Sequence, residues 1–447
     1  MQGTVLGGLK CTNSLDQLCK QVLKEVDSMY KYRGVVSIPP LEMVDDIITA
    51  VECGAKSVKQ NSVVNAFIES KKLALSVEKC AKVHVGNSYS KNTCPDLKVH
   101  SETMRNSDKE KYLGDFIHKS ANSKETLKER NIRGNAALSE IRAILQDIPL
   151  GKRRTQIGLV LRQAWFLNGS LFNSEVWTGI SDADIKELEI IDHNIFRQIT
   201  GSQSKVSIEM LYLETAQIPV KSVISVRRIL YLHNILTRHK DELIVRVYTA
   251  MKNKPLKGDW INTVTEDMKE ININLNDEEI ALLSKRDFKS IVKKKMRIHM
   301  LMKLNAIKEG HSKVKHLVHG SLDAPQDYLI SGKFSNSQCS LLFNLRSKGV
   351  NEFKSNFQSS LQYFPCIMCN LSDDTQEHAL LCHGVRKHMQ PDHRTLVDSV
   401  IYEDLVGPID RKLLITKAYQ IIIKTREKSS ATLSASLPGH HTGPRSL

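Results

Sequence analysis

The chain has 447 residues, 41% hydrophobic and 25% charged, the balance of an ordinary folded protein rather than a disordered one. Its 64 Lys and Arg against 49 Asp and Glu leave a net charge of +15, which suits a polyanionic partner, nucleic acid ahead of a membrane surface. No uncharged apolar run reaches the ~18 residues of a membrane-spanning helix, the N-terminus has no basic-then-apolar signal, and the cysteines are scattered, so the expectation is an intracellular protein in a reducing compartment, nuclear or cytoplasmic, not secreted and not membrane-bound.

In chain order, Met1-Gln2-Gly3-Thr4-Val5-Leu6-Gly7-Gly8 is a Gly-rich loop that reads as the middle of a domain. A helix is predicted from Asn13, with Leu15, Leu18, Val22, Leu23 and Val26 as its apolar stripe. Leu41 to Ala50 follows Pro39-Pro40 as an apolar run interrupted by Asp45 and Asp46. That pattern predicts a β-hairpin with the two acids at or beside its tip. Adjacent carboxylates repel, and a divalent cation such as Mg²⁺ relieves them. A solvated Asp-Asp turn is the competing reading, since Asp373-Asp374 is such a pair without an apolar frame. Residues 55–70 predict a second helix, with Val58, Val63, Val64, Phe67 and Ile68 on one side and Lys71-Lys72 at its end. Leu73 to Val77 and Cys80 to Gly86 read as short strands with Lys79 between them, and a polar loop of about 20 residues leads to a strand over Tyr112-Leu113-Gly114-Asp115-Phe116-Ile117. Lys79 could equally be a solvated turn lysine.

From 121 to 250 the pattern is helical. Ser181 caps a helix carrying Ile185, Leu188, Ile191, Ile195, Phe196 and Ile199, closed by Gly201. Pro219 opens another, largely apolar from Val220 to Leu236, and its Leu and Ile stripes are core. His193 and His233 are helix residues without a ligand role. Between Lys285 and Lys315 stand eleven Lys or Arg, Lys293, Lys294, Lys295 and Arg297 among them, against only Asp287 and Glu309. Ile291, Val292, Met296, Ile298, Met300, Leu301 and Leu304 intersperse them, so a helix with one buried and one cationic side is expected. Such a face would neutralise phosphates with salt-sensitive, sequence-independent affinity; a solvated helix face is the alternative.

Cys366 and Cys369 are separated by two residues, and after eight more come His378, three residues and Cys382. Two thiolates at that spacing form half of a tetrahedral Zn²⁺ cage, completed by His378 and Cys382 at i,i+4 on a short helix. Four protein ligands leave no position for a reactive water, so the site reads as structural. His383 could substitute for Cys382. Residues 336–364 would supply supporting elements, 396–425 a final helix, and the Ser-, Gly- and Pro-rich residues 426–447 a disordered tail.

Gln2-Gly3 with its Gly-rich continuation, Met43-Val44-Asp45-Asp46, Leu73 to Lys79, and Tyr112-Leu113-Gly114 resemble, in order and spacing, the later palm motifs of reverse transcriptases from non-LTR (LINE-type) retrotransposons. Met43 stands where that family usually has an aromatic or small residue. Phe172 to Trp177 and Leu211-Tyr212-Leu213-Glu214 resemble segments of the family's helical thumb, and the Cys-Cys-His-Cys set resembles a knuckle that often follows it.

The resemblance implies an α+β fold. A partial palm, a small antiparallel sheet with helices, would occupy 1–120, a helical thumb-like region 121–250, a basic helical connector 251–335, a zinc-knuckle module 336–425 and a disordered tail 426–447. It implies RNA-directed DNA polymerase activity with a two-metal nucleotidyl transfer. Asp45 and Asp46 would hold Mg²⁺, Lys79 would face the nucleotide's phosphates, Gln2 and Gly3 would lie near the templating pair, and Tyr112, Leu113 and Gly114 would grip the primer. The implied partners are an RNA template, a DNA primer or target and deoxynucleoside triphosphates, with activity in the nucleus. The family's first metal-binding Asp lies upstream of the Gln-Gly loop, so the expectation is a C-terminal portion that starts within the palm and is not active alone. Two other readings stand beside it: a catalytically inactive nucleic-acid-binding remnant stabilised by structural zinc, and a zinc-stabilised helical interaction protein.

Overall fold

The computed structural model describes residues 16–26, 30–43, 46–73, 75–86, 95–99, 101–202, 206–310, 322–347, 350, 353 and 364–435. The fold is α+β, mostly helical, with small sheets. Among the described residues the strands form five two-stranded ladders, four antiparallel and one, Ala81–Val83 with Arg105–Ser107, parallel. No helix among them is long and apolar enough to cross a membrane. The chain divides into two compact units, one of Met1–Ile132, Leu171–Glu187 and Lys221–Met296, the other of Arg133–Ser170, Leu188–Val220 and Arg297–Leu447.

In the first unit, Leu18, Val22 and Val26 pack against Val63 and Phe67 of the Gly54–Lys71 helix. Leu23, expected in that stripe, is exposed, as is Val58. Ile47 joins this core, and because strand residues alternate sides, Ile47 decides which face of its hairpin is turned inward. The hairpin is the expected one: Leu41–Met43 pairs antiparallel with Asp46–Ile48, Met43 opposite Asp46.

Three expectations here are corrected. The described residues of Leu73 to Val77 form no strand, and Val77–Lys79 is a turn of 3₁₀ helix held by Lys79 N–H to Ser76 C=O and Cys80 N–H to Val77 C=O. Lys79 therefore ends a helical turn instead of standing between two strands. The polar stretch before Tyr112 is not simply loop, because Lys98–Val99, Glu102–Thr103 and Arg105–Ser107 are strands. Tyr112-Leu113-Gly114 is not strand interior either. Lys109–Tyr112 pairs with Asp115–His118, and Leu113 and Gly114, at φ 48° and 90°, form the two-residue turn between them. Two successive positive φ values are the backbone a tight hairpin requires, and Gly114 meets one of them without strain.

The second unit is built on helices that bury charge as well as hydrocarbon. Arg162 is bidentate to Asp192 at 2.6 and 2.8 Å, and also reaches Gln217 at 3.1 Å. Glu214 accepts from the Arg346 guanidinium at 2.8 to 3.1 Å and from the Tyr328 hydroxyl at 2.6 Å. The end of the chain differs from expectation twice. Residues 396–425 are not one helix but fall in Pro391–Asp398, Tyr402–Leu405 and Ile409–Ala435, broken by Gly407-Pro408. Pro suits the entry to a helix and not its interior. The last of these also continues through 426–435, part of the segment expected to be disordered. Glu427, Lys428, Ala431 and Leu433 are good helix formers, and the first strong breaker is Pro438.

Candidate metal centre and nucleic-acid face

Cys366, Cys369, His378 and Cys382 converge: one potential ligand atom from each lies within 4.8 Å of the others. Cys366 Sγ stands 3.7 Å from Cys382 Sγ, and Cys369 Sγ 3.3 Å from His378 Nε2. A regular zinc tetrahedron with Zn–S near 2.3 Å has S···S edges of about 3.8 Å, and its S···N edges are slightly shorter. The set therefore already has the span of a zinc cage and could bind zinc.

Local structure explains the convergence. A bridge between Pro365 and Asp373 closes the first loop, inside which Asn370 N–H donates to Cys366 C=O at 2.8 Å and Cys366 N–H to Ser372 C=O at 2.7 Å. Asn370 takes a left-handed conformation, φ 56°, to turn the chain back. Thr375 caps the Gln376–Leu381 helix by accepting from His378 N–H at 3.0 Å, which fixes the turn bearing the imidazole. Cys382 is not on that helix, as expected from sequence, but at the junction where it ends and His383–Lys387 begins. Gly384 lets the second helix lie against the first loop, since a Cβ there would sit 2.2 Å from Met368 O. His383 is exposed and outside the group. Thr375 and Gly384 were not singled out from the sequence. The Thr before a Gln-Glu-His run was readable as a cap, but the close approach at Gly384 was not.

The electrostatics suit a metal. Burial lowers the His378 pKa, holding the imidazole in the neutral form that ligates. Burial, with Cys366 adding to it, pushes the Cys382 thiol up to about 11. At Cys369 burial also works against the thiolate, but the backbone N–H groups of Leu371 and Ser372 and the thiols of Cys382 and Cys366 bring its pKa below the ordinary value. One thiolate is thus favoured and its neighbour resisted, a conflict that a divalent cation removes. Around the set, buried Asp374 pairs with Arg426 at 2.6 Å, and Tyr419 Oη donates to Gln376 C=O at 2.6 Å, tying the knuckle to the final helix.

The predicted carboxylate site falls only in part within the described residues. Asp46 is exposed at the start of its strand, while Asp45, Gln2 and Gly3 lie outside the described residues. Glu42, the other described acid of the hairpin, is paired with Ile47 on the core-facing side and accepts from Cys19 Sγ at 3.3 Å, so it does not join Asp46. Among the described residues the cysteine–histidine set is the one group of three or more such side chains able to hold a metal. They do not by themselves assemble a Mg²⁺ site. Lys79 is exposed.

Tyr112 does come to the Asp46 hairpin. Its hydroxyl donates to Leu41 C=O at 3.3 Å, and burial first, then the Asp46 carboxylate, raises its pKa. The adjoining turn is braced by fully buried Arg130, which donates to Gly114 C=O and Asp115 Oδ1, both at 2.9 Å, and lies over the Phe172 ring at 5.4 Å. Asn173 Nδ2 donates to Asp115 Oδ2 at 2.7 Å.

The basic run is helical over Lys285–Gly310. Phe288, Val292, Met296, Met300 and Leu304 form its buried ridge, while Lys293, Lys294, Lys295 and Arg297 are exposed. Ile298, expected on the buried side, is 44% exposed. Arg297 pairs with Asp323 at 3.1 Å. Comparison of the chain with protein-family models, with curated proteins and with solved structures finds no match.

Proposed function

We propose that the chain is a nucleic-acid-handling part of an RNA-directed DNA polymerase of the non-LTR retrotransposon type, with the Asp45-Asp46 hairpin in its catalytic palm. The observation that carries the reading is the meeting of Tyr112 with the Leu41–Ile48 hairpin. These two segments resemble palm motifs, lie far apart in sequence, and had no reason of composition to be neighbours. The contacts of Phe172 with the Gly114 turn and of Asn173 with Asp115 beside it bring a segment that resembles the family's thumb to the same neighbourhood.

In this reading Asp45 and Asp46, with a further carboxylate, hold the Mg²⁺ ions of a two-metal transfer from deoxynucleoside triphosphates. Lys79 supplies positive charge toward phosphates, Gln2 and Gly3 adjoin the templating pair, and Tyr112, Leu113 and Gly114 shape the strand contact. Residues 121–250 act as the thumb, the basic connector contacts the RNA–DNA substrate, and the zinc knuckle stabilises the C-terminal module. The test is RNA-templated primer extension with Mg²⁺, run on the chain joined to a segment carrying the further Asp. Extension abolished by Asp46→Asn supports the reading, and extension indifferent to that change overturns it.

A second reading is a nucleic-acid-binding remnant without polymerase activity, supported by the convergence of the four ligand atoms of the cysteine–histidine set, which would serve as its stabilising zinc site. It predicts salt-dependent binding of an RNA–DNA hybrid with no extension by any form of the chain.

A further inference from the structure

The Lys285–Gly310 helix does not carry its charge uniformly. One row parallel to the buried ridge reads Lys285, Lys289, Lys293, all exposed, and continues to Arg297. The opposite row is interrupted by Ser290, Ile298 and Met302, and the remaining row by Asp287 and Ile291. Among the described residues Lys285, Lys289 and Lys293 make no ion pair, whereas lysines elsewhere in the same unit, such as Lys109, Lys111 and Lys252, do. Side chains four apart on a helix are neighbours, so Lys285–Lys289 and Lys289–Lys293 are two like-charge contacts, each costing about 0.2–0.5 kcal/mol in an isolated helix. A helix face that served only solubility would place acids at those positions and gain by a similar amount.

We infer that Lys285, Lys289 and Lys293 form a straight phosphate-tracking ridge for one strand of a nucleic-acid duplex. The inference rests on the nucleic-acid reading above and deepens it by naming the substrate form. Eight residues of helix rise span about 12 Å, over which one strand of a duplex presents three to four phosphates at about 3.4 Å of axis each. Rigid lysine spacing matches a rigid array, while a single strand must first lose its own freedom to fit. The sequence reading named Lys293, Lys294 and Lys295 as a block; the helix separates them, putting Lys293 on the ridge and the other two on different rows.

The test measures binding of the whole chain to an RNA–DNA duplex at several salt concentrations. The triple variant Lys285→Gln, Lys289→Gln, Lys293→Gln is compared with Lys240→Gln, Lys254→Gln, Lys257→Gln, three exposed lysines elsewhere in the unit. Gln keeps helix propensity, and unfolding temperature checks that both variants fold. Three lost phosphate contacts make the plot of log affinity against log salt shallower by about 2.7, so wild-type affinity should fall about 40-fold more than the ridge variant's between 50 and 200 mM salt. The control should change by less than one unit of slope. Equal effects in the two variants, an unchanged slope, or no duplex binding by the wild type overturn the ridge, and an equal loss on a single-stranded homopolymer overturns the duplex assignment. A ridge variant with unchanged binding beside extension that still depends on Asp46 would sink the ridge and leave the polymerase reading. The reverse pattern would sink the polymerase reading alone.

Discussion

The cysteine–histidine knuckle and the aspartate hairpin were both read as metal sites from closely spaced side chains, yet they stand differently in the folded chain. The knuckle brings four ligand atoms within 4.8 Å of one another, while the hairpin leaves Asp46 exposed with Glu42 turned to the opposite side. The difference lies in where the ligands come from. All four knuckle ligands fall within one short segment, so local loops, a helix cap and one glycine suffice to gather them. The polymerase metal site proposed at the hairpin would draw carboxylates from distant parts of the chain, and no local spacing could assemble it.

The strongest way to break that contrast is to remove a knuckle ligand. Cys366→Ser should reduce bound zinc from about one ion per chain to none, and Cys382→Ser should do the same. Because binding a structural zinc contributes directly to folding, the loss should cost several kcal/mol in the C-terminal module and appear as a large drop in unfolding temperature. A chelator added to the wild type should reproduce it. Metal analysis and thermal unfolding check the result, and an unchanged melting curve with zinc absent would make the knuckle a passive cluster.

Next in size is the charged core of the same unit. Glu214 is fully buried against Arg346, whose side chain is 2% exposed. Glu214→Ala leaves that guanidinium and the Tyr328 hydroxyl without their partner, which should cost about 3–5 kcal/mol in denaturant unfolding. Replacing both members with apolar residues of similar volume should recover most of the loss. Cost without recovery would mean that the pair specifies the packing and not merely its own neutralisation.

These two sites also show what the sequence made legible. The metal-ligand spacing, the Ser181-capped helix, the Asp hairpin and the buried ridge of the basic helix all come from local periodicity and chemistry, and all appear. What was missed depended on partners far away. Glu214 and Arg346 were invisible as a pair because 132 residues separate them. Lys79 was placed between two short strands read from apolar alternation, whereas Val77–Lys79 is a 3₁₀ turn whose N–H to C=O contacts are local. Tyr112 to Gly114 was read as one strand because Leu113 looks like strand interior, whereas the positive φ at Leu113 and Gly114 makes a turn. The meeting of Tyr112 with Leu41 could not be had from either segment alone.

A smaller effect separates the hydrogen-bonded acids of the first unit from Asp46. Lys109, then Lys128, holds the Glu125 carboxyl down at about 2 from an ordinary 4.5, and the Ser181 hydroxyl and backbone N–H hold Asp184 at about 2 from 3.8. A carboxyl whose folded pKa is depressed contributes stability that is complete above its unfolded value and is lost as pH falls through the folded one. Both contributions should therefore be present above about pH 4.5 and fade toward pH 2. Glu125→Gln with Asp184→Asn should flatten that acid limb. At neutral pH the change should stay under about 1 kcal/mol for each site, because the partner lysines are half exposed and screened. Unfolding temperature against pH checks it.

The smallest stability effect belongs to the residue that matters most to the proposed function. Asp46 is exposed, so Asp46→Asn should change folding stability by no more than about 0.5 kcal/mol, even though it is expected to abolish extension. It should also register at Tyr112. Burial is the larger cause of that phenol's raised pKa and the Asp46 carboxylate the next, so removing the charge should lower the Tyr112 pKa part of the way toward its ordinary value. Spectrophotometric titration, with the Tyr112 contribution identified by its disappearance in Tyr112→Phe, measures this. A Tyr112 titration indifferent to Asp46 would mean that the two hairpins do not share an environment, and the proposed palm would lose the contact it rests on.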